Sequence, residues 1–234
     1  MQAVIYEFSE NRSGENAKTF LKDWKGRLVC DYYSGYQNLF GDDKAIIEIG
    51  CLAHARRRFN DLYEANKSEI AHQALVMIGF LYDVEYEARD MTPEDRWRIR
   101  QQKVKPILRK MRAWLALQRI KATHGTALAR ALDYSIKRWD ALTRYVDDGR
   151  LPIDNNHLET RIRPVATGRS NWMFMGSTRA GKRAAAIMSL VQSAKLNGLD
   201  PYAYMIDVLT RLPTHPNKRI QELLPQNWKP QAQS

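Results

Sequence analysis

Apolar and polar positions change period twice along the chain. The first stretch, AVIYEF at residues 3–8, is β-rich and is closed by the turn-like SENRSGEN. AKTFLKDW then sets Phe20, Leu21 and Trp24 on one helical face until Gly26 stops it. RLVCD is a compact apolar strand ending on Asp31, YYSGYQNLF a turn and short helix, and AIIEIGCLAH a second apolar strand. This alternation predicts an α/β layer. From about Ala55 to Tyr145 the period becomes 3.6. IAHQALVMIGFLYDVEYEA, EDRWRIRQQKVKPILRKMRAWLALQ and ALARALDYSIKRWDALTRYV all read as long amphipathic helices. After Gly149 an extended link leads into LPIDNNHLETRIRPVATGRSNW. A strand-like aromatic NWMFMG follows, then the helices AGKRAAAIMSLVQSAKLNG and YAYMIDVLTRL, and a Pro-rich tail. The pattern predicts an α/β fold interrupted by an all-helical insertion at residues 61–150, with the tail at 213–234. No internal repeat or low-complexity block interrupts it.

Composition bounds the class. The 234 residues are 44% hydrophobic and 10% aromatic, enough for a folded core. No apolar run approaches the roughly 20 residues that span a bilayer. The start lacks a basic region followed by an apolar segment, so no signal peptide is predicted. Two cysteines make no disulfide framework, which fits a reducing cytoplasm. Charge says more. The net +11 is uneven: residues 1–50 carry 6 basic and 8 acidic side chains, residues 51–160 carry 20 and 15, and residues 161–234 carry 11 and 3. A basic final third suggests a polyanionic partner, most often nucleic acid, with a generic basic surface as the plainer reading.

Several residue groups carry candidate chemistry. Asp31 ends an apolar strand, where α/β proteins place ligands, although an Asp there also starts ordinary turns. In the motif at 151–172, Asp154 precedes the helical pattern and suits an N-cap. Glu159 lies a turn further in, on the face shared with Asn155 and Asn156, and is the better carboxylate for a site. The competing reading is a surface pair of Glu159 with Arg163, four residues on. Two carboxylates from distant parts of the chain suit hard Mg²⁺ or Mn²⁺, and two such ions stabilise both oxygens of a phosphodiester displacement. Arg161, Arg163 and Arg169 would then hold phosphates, with Trp172 and Phe174 stacking on bases. GSTRAGKR at 176–183 nearly spells a phosphate-cradling loop, but Arg183 stands where a hydroxyl must ligate Mg²⁺. Contact of Arg179, Lys182 and Arg183 with DNA phosphates is the better expectation. Cys51 and His54 have zinc-like spacing without a second pair. HARRRF at 54–59, with Arg56, Arg57 and Arg58, is either a solvated helix face or a DNA contact.

YEFSENRSGENA, LVCDYYSGYQNLF, GCLAHARRRF, DDGRLPIDNNHLETRIRPVATGRSNWMFMGS and SAKLNGLDPYAYMIDVL occur in one order over most of residues 3–212. In these stretches the chain resembles the insertion-sequence-66 family of bacterial transposases. The resemblance implies an RNase H-like fold with an Asp-Asp-Glu metal site, in which Asp31 matches the second Asp and Glu159 the Glu. It implies metal-dependent DNA cleavage and strand transfer at transposon ends. Residues 1–60 and 151–212 would then form the two parts of a partial catalytic core, a mixed sheet lacking its first strands. The family's first Asp lies upstream of the part that AVIYEF resembles, and Glu7, Glu10 and Asp23 do not match its motif. The chain alone is therefore expected to be weak or inactive. The expected partners, besides DNA, are an upstream transposase polypeptide that supplies the missing strand, or other copies of itself pairing at the exposed sheet edge. The alternative is a catalytically inactive, DNA-binding remnant.

Overall fold

The computed structural model describes residues 3–41, 44–171 and 176–230. The chain divides into two compact units, Ser13–His157 and a second formed by Met1–Arg12 with Leu158–Ser234.

The first unit opens with α1 (Gly14–Phe20), capped by Ser13, whose hydroxyl accepts the Glu15 N–H. The two apolar runs form β1 (Gly26–Cys30) and β2 (Ile46–Gly50), a parallel pair in register from Gly26↔Ile46 to Cys30↔Gly50. A 3-10 segment, Ser34–Leu39, lies in the crossover. At this level the α/β reading holds, but the sheet among the described residues is two parallel strands rather than a mixed sheet. The rest is helical: α2 (Leu52–Asn66), α3 (Glu69–Glu87), α4 (Pro93–Ile99), α5 (Lys105–Lys121), α6 (Ala127–Lys137) and α7 (Trp139–Thr143). Ser68, Thr92 and Thr126 cap α3, α4 and α6, each hydroxyl accepting a backbone N–H three residues on. Along α3 the buried Ala71, Ala74, Ile78, Leu81 and Val84 recur every three or four residues, so one face enters the core. There Phe59, Met111, Leu115 and Leu132 join Ile49 of β2. Burying each large side chain contributes roughly 1.5–3 kcal/mol.

A π-turn, Arg100–Val104, joins α4 to α5 and turns Arg100 inward, leaving it 1% exposed. Its guanidinium donates to both Glu85 carboxylate oxygens at 2.8 and 2.6 Å. It also donates to the carbonyls of Tyr145, Asp148 and Leu151 at 2.8–2.9 Å. That clasp fixes the loop leading to residues 151–156. Gly149 in this loop lies so close to Pro93 that a Cβ would stand 1.7 Å from the Pro93 carbonyl oxygen, leaving no room for a side chain.

The second unit holds α8 (Asn156–Asn171, its first two residues belonging to the first unit), α9 (Thr178–Leu196) and α10 (Pro201–Arg211). Ala194, Tyr204, Val208 and Leu223 form its core. The Pro-rich tail packs there through Trp228, which meets the Tyr204 ring edge-on and donates its indole N–H to Asp207 at 2.6 Å. AVIYEF, predicted as a strand, forms none. Two serines one turn apart on α9 bind its backbone instead: Ser193 Oγ accepts the Val4 N–H at 2.9 Å and donates to the Val4 carbonyl at 3.1 Å, and Ser189 Oγ accepts the Tyr6 N–H at 2.9 Å. NWMFMG falls largely outside the described residues. No helix among the described residues is long and apolar enough to cross a membrane.

Candidate nucleic-acid interface

Because β1 and β2 are parallel and Cys30 pairs with Gly50, Asp31 and Cys51 leave the sheet at the same, carboxyl edge. α2 starts one residue past Cys51 and carries the arginine cluster over that edge. The loop 151–156 docks against the start of α2: Leu52 N–H donates to the Ile153 carbonyl at 3.1 Å and Asn155 N–H to the Cys51 sulfur at 3.5 Å. Asp154 is buried and accepts three bonds, from the Tyr82 hydroxyl at 2.8 Å and from the backbone and side-chain amides of Asn156 at 3.0 and 2.8 Å. Burial, then the bond to Asp154, pushes the Tyr82 hydroxyl well above its ordinary pKa, so it stays protonated as a donor. Asn155 is buried too, and its Oδ1 has no hydrogen-bond partner among the described residues.

In front of this loop opens a cavity of about 440 Å³, lined by Ala53, Arg56, Arg57, Asn60, Tyr82 and Asn156. Two groups that the sequence singles out separately, HARRRF and the DNNHLE motif, thus meet on one concave surface. Its lining residues include Arg56, Arg57, Asn60 and Asn156 and no carboxylate, and Asp154, bonded to Tyr82 and Asn156 of that lining, is engaged by three donors. Such a surface suits an anion with several oxygens, as a phosphate has.

Asp31 is exposed, and its Oδ1 accepts the Tyr33 N–H at 3.1 Å. Tyr32 between them has a left-handed backbone, φ 65°. Arg138, at the end of α6, is buried beneath: it donates to Glu48 at 2.6 Å and sits 3.7 Å from the centre of the Tyr32 ring. Arg58 turns away from the cavity and lies 4.2 Å from the Tyr134 ring centre. Burial foremost pushes the Cys30 thiol up to about 11, so it is an inert core group. Sequence reasoning missed Arg138 and Tyr32. The run of tyrosines directly after Asp31 was the available sign; an arginine at the end of an amphipathic helix gave none.

The second unit holds the remaining predicted residues. Glu159 is half-buried in the first turn of α8. Arg161 is half-buried, its carbonyl accepting the Tyr6 hydroxyl, and Arg163 is exposed. Arg179, Lys182 and Arg183 are exposed on the first turns of α9. GSTRAGKR forms no phosphate cradle, because α9 already starts at Thr178, capped by the Ser177 hydroxyl, and Gly181 packs on the Phe8 ring. Arg169 is described by its backbone alone, and Trp172 and Phe174 lie outside the described residues. Asp31 and Glu159 belong to different units. Both offer the oxygen donors that hard divalent ions take, so each fits such an ion as one of its ligands. Among the described residues no three His, Cys, Asp or Glu side chains gather in a metal-binding group.

The molecule is thus a mostly helical protein with a small parallel sheet and an arginine-lined cavity at the carboxyl edge of that sheet. Residues 1–183 match the Transposase IS66 family and residues 189–226 the IS66 C-terminal element. The chain belongs to the IS66 transposase family. Similar proteins of Sinorhizobium fredii (strain NBRC 101917 / NGR234) include the uncharacterized proteins y4hP, 34% identical, and y4jD, 36% identical. In both the match covers 97% of this chain, and 44% and 46% of the relative respectively. The chain thus spans a little under half the length of the relatives it matches. No solved structure matches it.

Proposed function

We propose that the chain is the DNA-engaging, strand-cleaving part of a transposase, with an RNase H-like core in which Asp31 and Glu159 hold divalent metal. The observation that carries this reading is the shared sheet edge: an exposed carboxylate at the end of β1 and, beside the end of β2, the cavity built by Arg56, Arg57, Asn60 and Asn156. The guanidinium groups would fix the phosphate backbone while Asp31 faces it. Tyr33 N–H orients the Asp31 carboxyl, and Asp154 anchors the start of α8, from whose first turn Glu159 projects. Bound Mg²⁺ or Mn²⁺ would activate the attacking hydroxyl and stabilise the leaving oxygen. Within the second unit, Arg161, Arg163, Arg169, Arg179 and Arg183, with Lys182, would hold phosphates of their own. Two carboxylates are a short ligand set, so the 234-residue chain alone is expected to nick DNA weakly, and to gain activity from a polypeptide that adds a third.

The test is Mg²⁺-dependent nicking of transposon-end DNA, measured with and without a fragment covering the additional length of the relatives. Glu159→Gln and Asp31→Asn are expected to lower the stimulated rate at least about 100-fold. Nicking that survives both substitutions removes these residues from the reaction. A second reading, a DNA-binding remnant without catalysis, is favoured by the excess of 11 basic over 3 acidic side chains in residues 161–234. It predicts salt-sensitive binding and no metal-dependent product under any mixing condition.

A further inference from the structure

Beside Asp31 at the sheet edge stands a ladder of cations and rings. Tyr32 is 44% exposed and has φ 65°, a backbone conformation that strains a bulky side chain. One face of its ring is covered by the Arg138 guanidinium, 3.7 Å from the ring centre, and Tyr134 meets it edge to face at 6.3 Å and 78°. Arg58 covers Tyr134 at 4.2 Å. Arg138 has a side chain only 3% exposed, and while one nitrogen pairs with Glu48, its Nε and Nη1 have no hydrogen-bond partner among the described residues. Burying a cation incompletely satisfied is unfavourable, and so is a left-handed tyrosine. Core packing does not explain either, because the residue they support is 44% exposed.

We propose that Tyr32 is a stacking platform for one unpaired nucleobase of the DNA held at Asp31. The proposal rests on the reading of DNA as substrate and adds which part of the nucleotide this residue takes. A ring fixed from behind by a guanidinium presents a flat surface already in place, and a base is the flat part of a nucleotide. Arg56 and Arg57 in the cavity take the flanking phosphates, and Tyr32 takes the base. Only a base outside the duplex stack has a free face. Tyr32 therefore favours a single-stranded or extruded nucleotide next to the scissile position.

The experiment compares binding of the full chain, by fluorescence anisotropy in low salt, to a short single-stranded oligonucleotide and to an abasic sugar–phosphate strand of equal length. The wild type is expected to prefer the base-bearing strand by roughly 5- to 150-fold, the range of one stacked base. Tyr32→Phe should keep that preference. Tyr32→Gly, whose backbone accepts the left-handed conformation, should lose most of it while binding the abasic strand as before and keeping the wild-type thermal midpoint. If Tyr32→Gly keeps the preference, or the wild type shows none, the platform is wrong and the DNA reading stands. If the wild type binds neither strand, both fall. A Tyr32→Gly variant that unfolds instead would show the ring to be structural and would equally overturn the proposal.

Discussion

Arg100 and Arg138 are both buried arginines, and they differ in what surrounds them. Arg100 has Glu85 and three backbone carbonyls around its guanidinium, so its charge is spent on holding the 145–151 loop. Removing one member of such a pair leaves the other charge buried and uncompensated. Arg100→Met is expected to destabilise the protein by about 3–5 kcal/mol, read as a lower midpoint in urea. A loss below about 1 kcal/mol would mean that water readily replaces the clasp. Asp148 in the same loop makes a pH-dependent contribution. Hydrogen bonds from Arg150 foremost, with Arg27 also nearby, hold its carboxyl well below the usual carboxylate range. A depressed pKa in the folded state gives stability that is present above the unfolded value, about 3.9, and is lost as pH falls below it. The thermal midpoint should therefore drop more steeply between pH 5 and pH 3 in the wild type than in Asp148→Asn, and parallel curves would remove Asp148 as a cause. Neither role was legible in the sequence. Arg100 sits in EDRWRIRQQK among charges that face water, and only the π-turn, which no composition announces, rotates it inward.

At the scale of elements, legibility followed the range of the interactions that make each one. The helices of the first unit show in the sequence because their apolar residues recur every three or four positions and their caps are local: Ser68, Thr92 and Thr126 lie directly before α3, α4 and α6. β1 and β2 show as short apolar runs between turn residues. AVIYEF does not obey the same reading, because its backbone partners are hydroxyls 183 and 189 residues away. Strand-like composition states only that the backbone prefers to be extended, and a serine pair one turn apart on a helix can satisfy it as a neighbouring strand would. That contact is testable. Ser193→Ala removes both bonds to buried Val4 and leaves its N–H and carbonyl without them, an expected loss of about 1–3 kcal/mol per unsatisfied group. Amide hydrogen exchange at Val4 should accelerate while exchange in α3 stays unchanged. Unaltered protection at Val4 would show that the serine is dispensable.

For the whole molecule, the +11 charge was legible at once, but its use was not. The sequence places arginines in HARRRF and in the RIRPVATGR stretch with nothing to separate a solvated face from a binding one. In the first unit the structure separates the three arginines of HARRRF: Arg56 and Arg57 line the cavity with Asn156, while Arg58 stacks on Tyr134. The difference has a measurable consequence. Each phosphate neutralised by a side chain releases condensed counterion and steepens the fall of log K with log salt by about 0.9 on duplex DNA. If Arg56 and Arg57 each hold a phosphate, Arg56→Gln with Arg57→Gln should reduce that slope by roughly 2 and weaken binding to all sequences alike. A substitution of Arg58, which stacks on a ring, should change the slope less than either. The readout is the equilibrium constant at four or more salt concentrations, with thermal midpoints confirming that each variant is folded. A double variant with the wild-type slope would leave the cavity without phosphate and move the DNA path to the basic surface of α8 and α9. Equal slopes for the Arg58 and Arg56 single variants would instead mean that the helix acts through its total charge, and that the concave arrangement adds no phosphate site of its own.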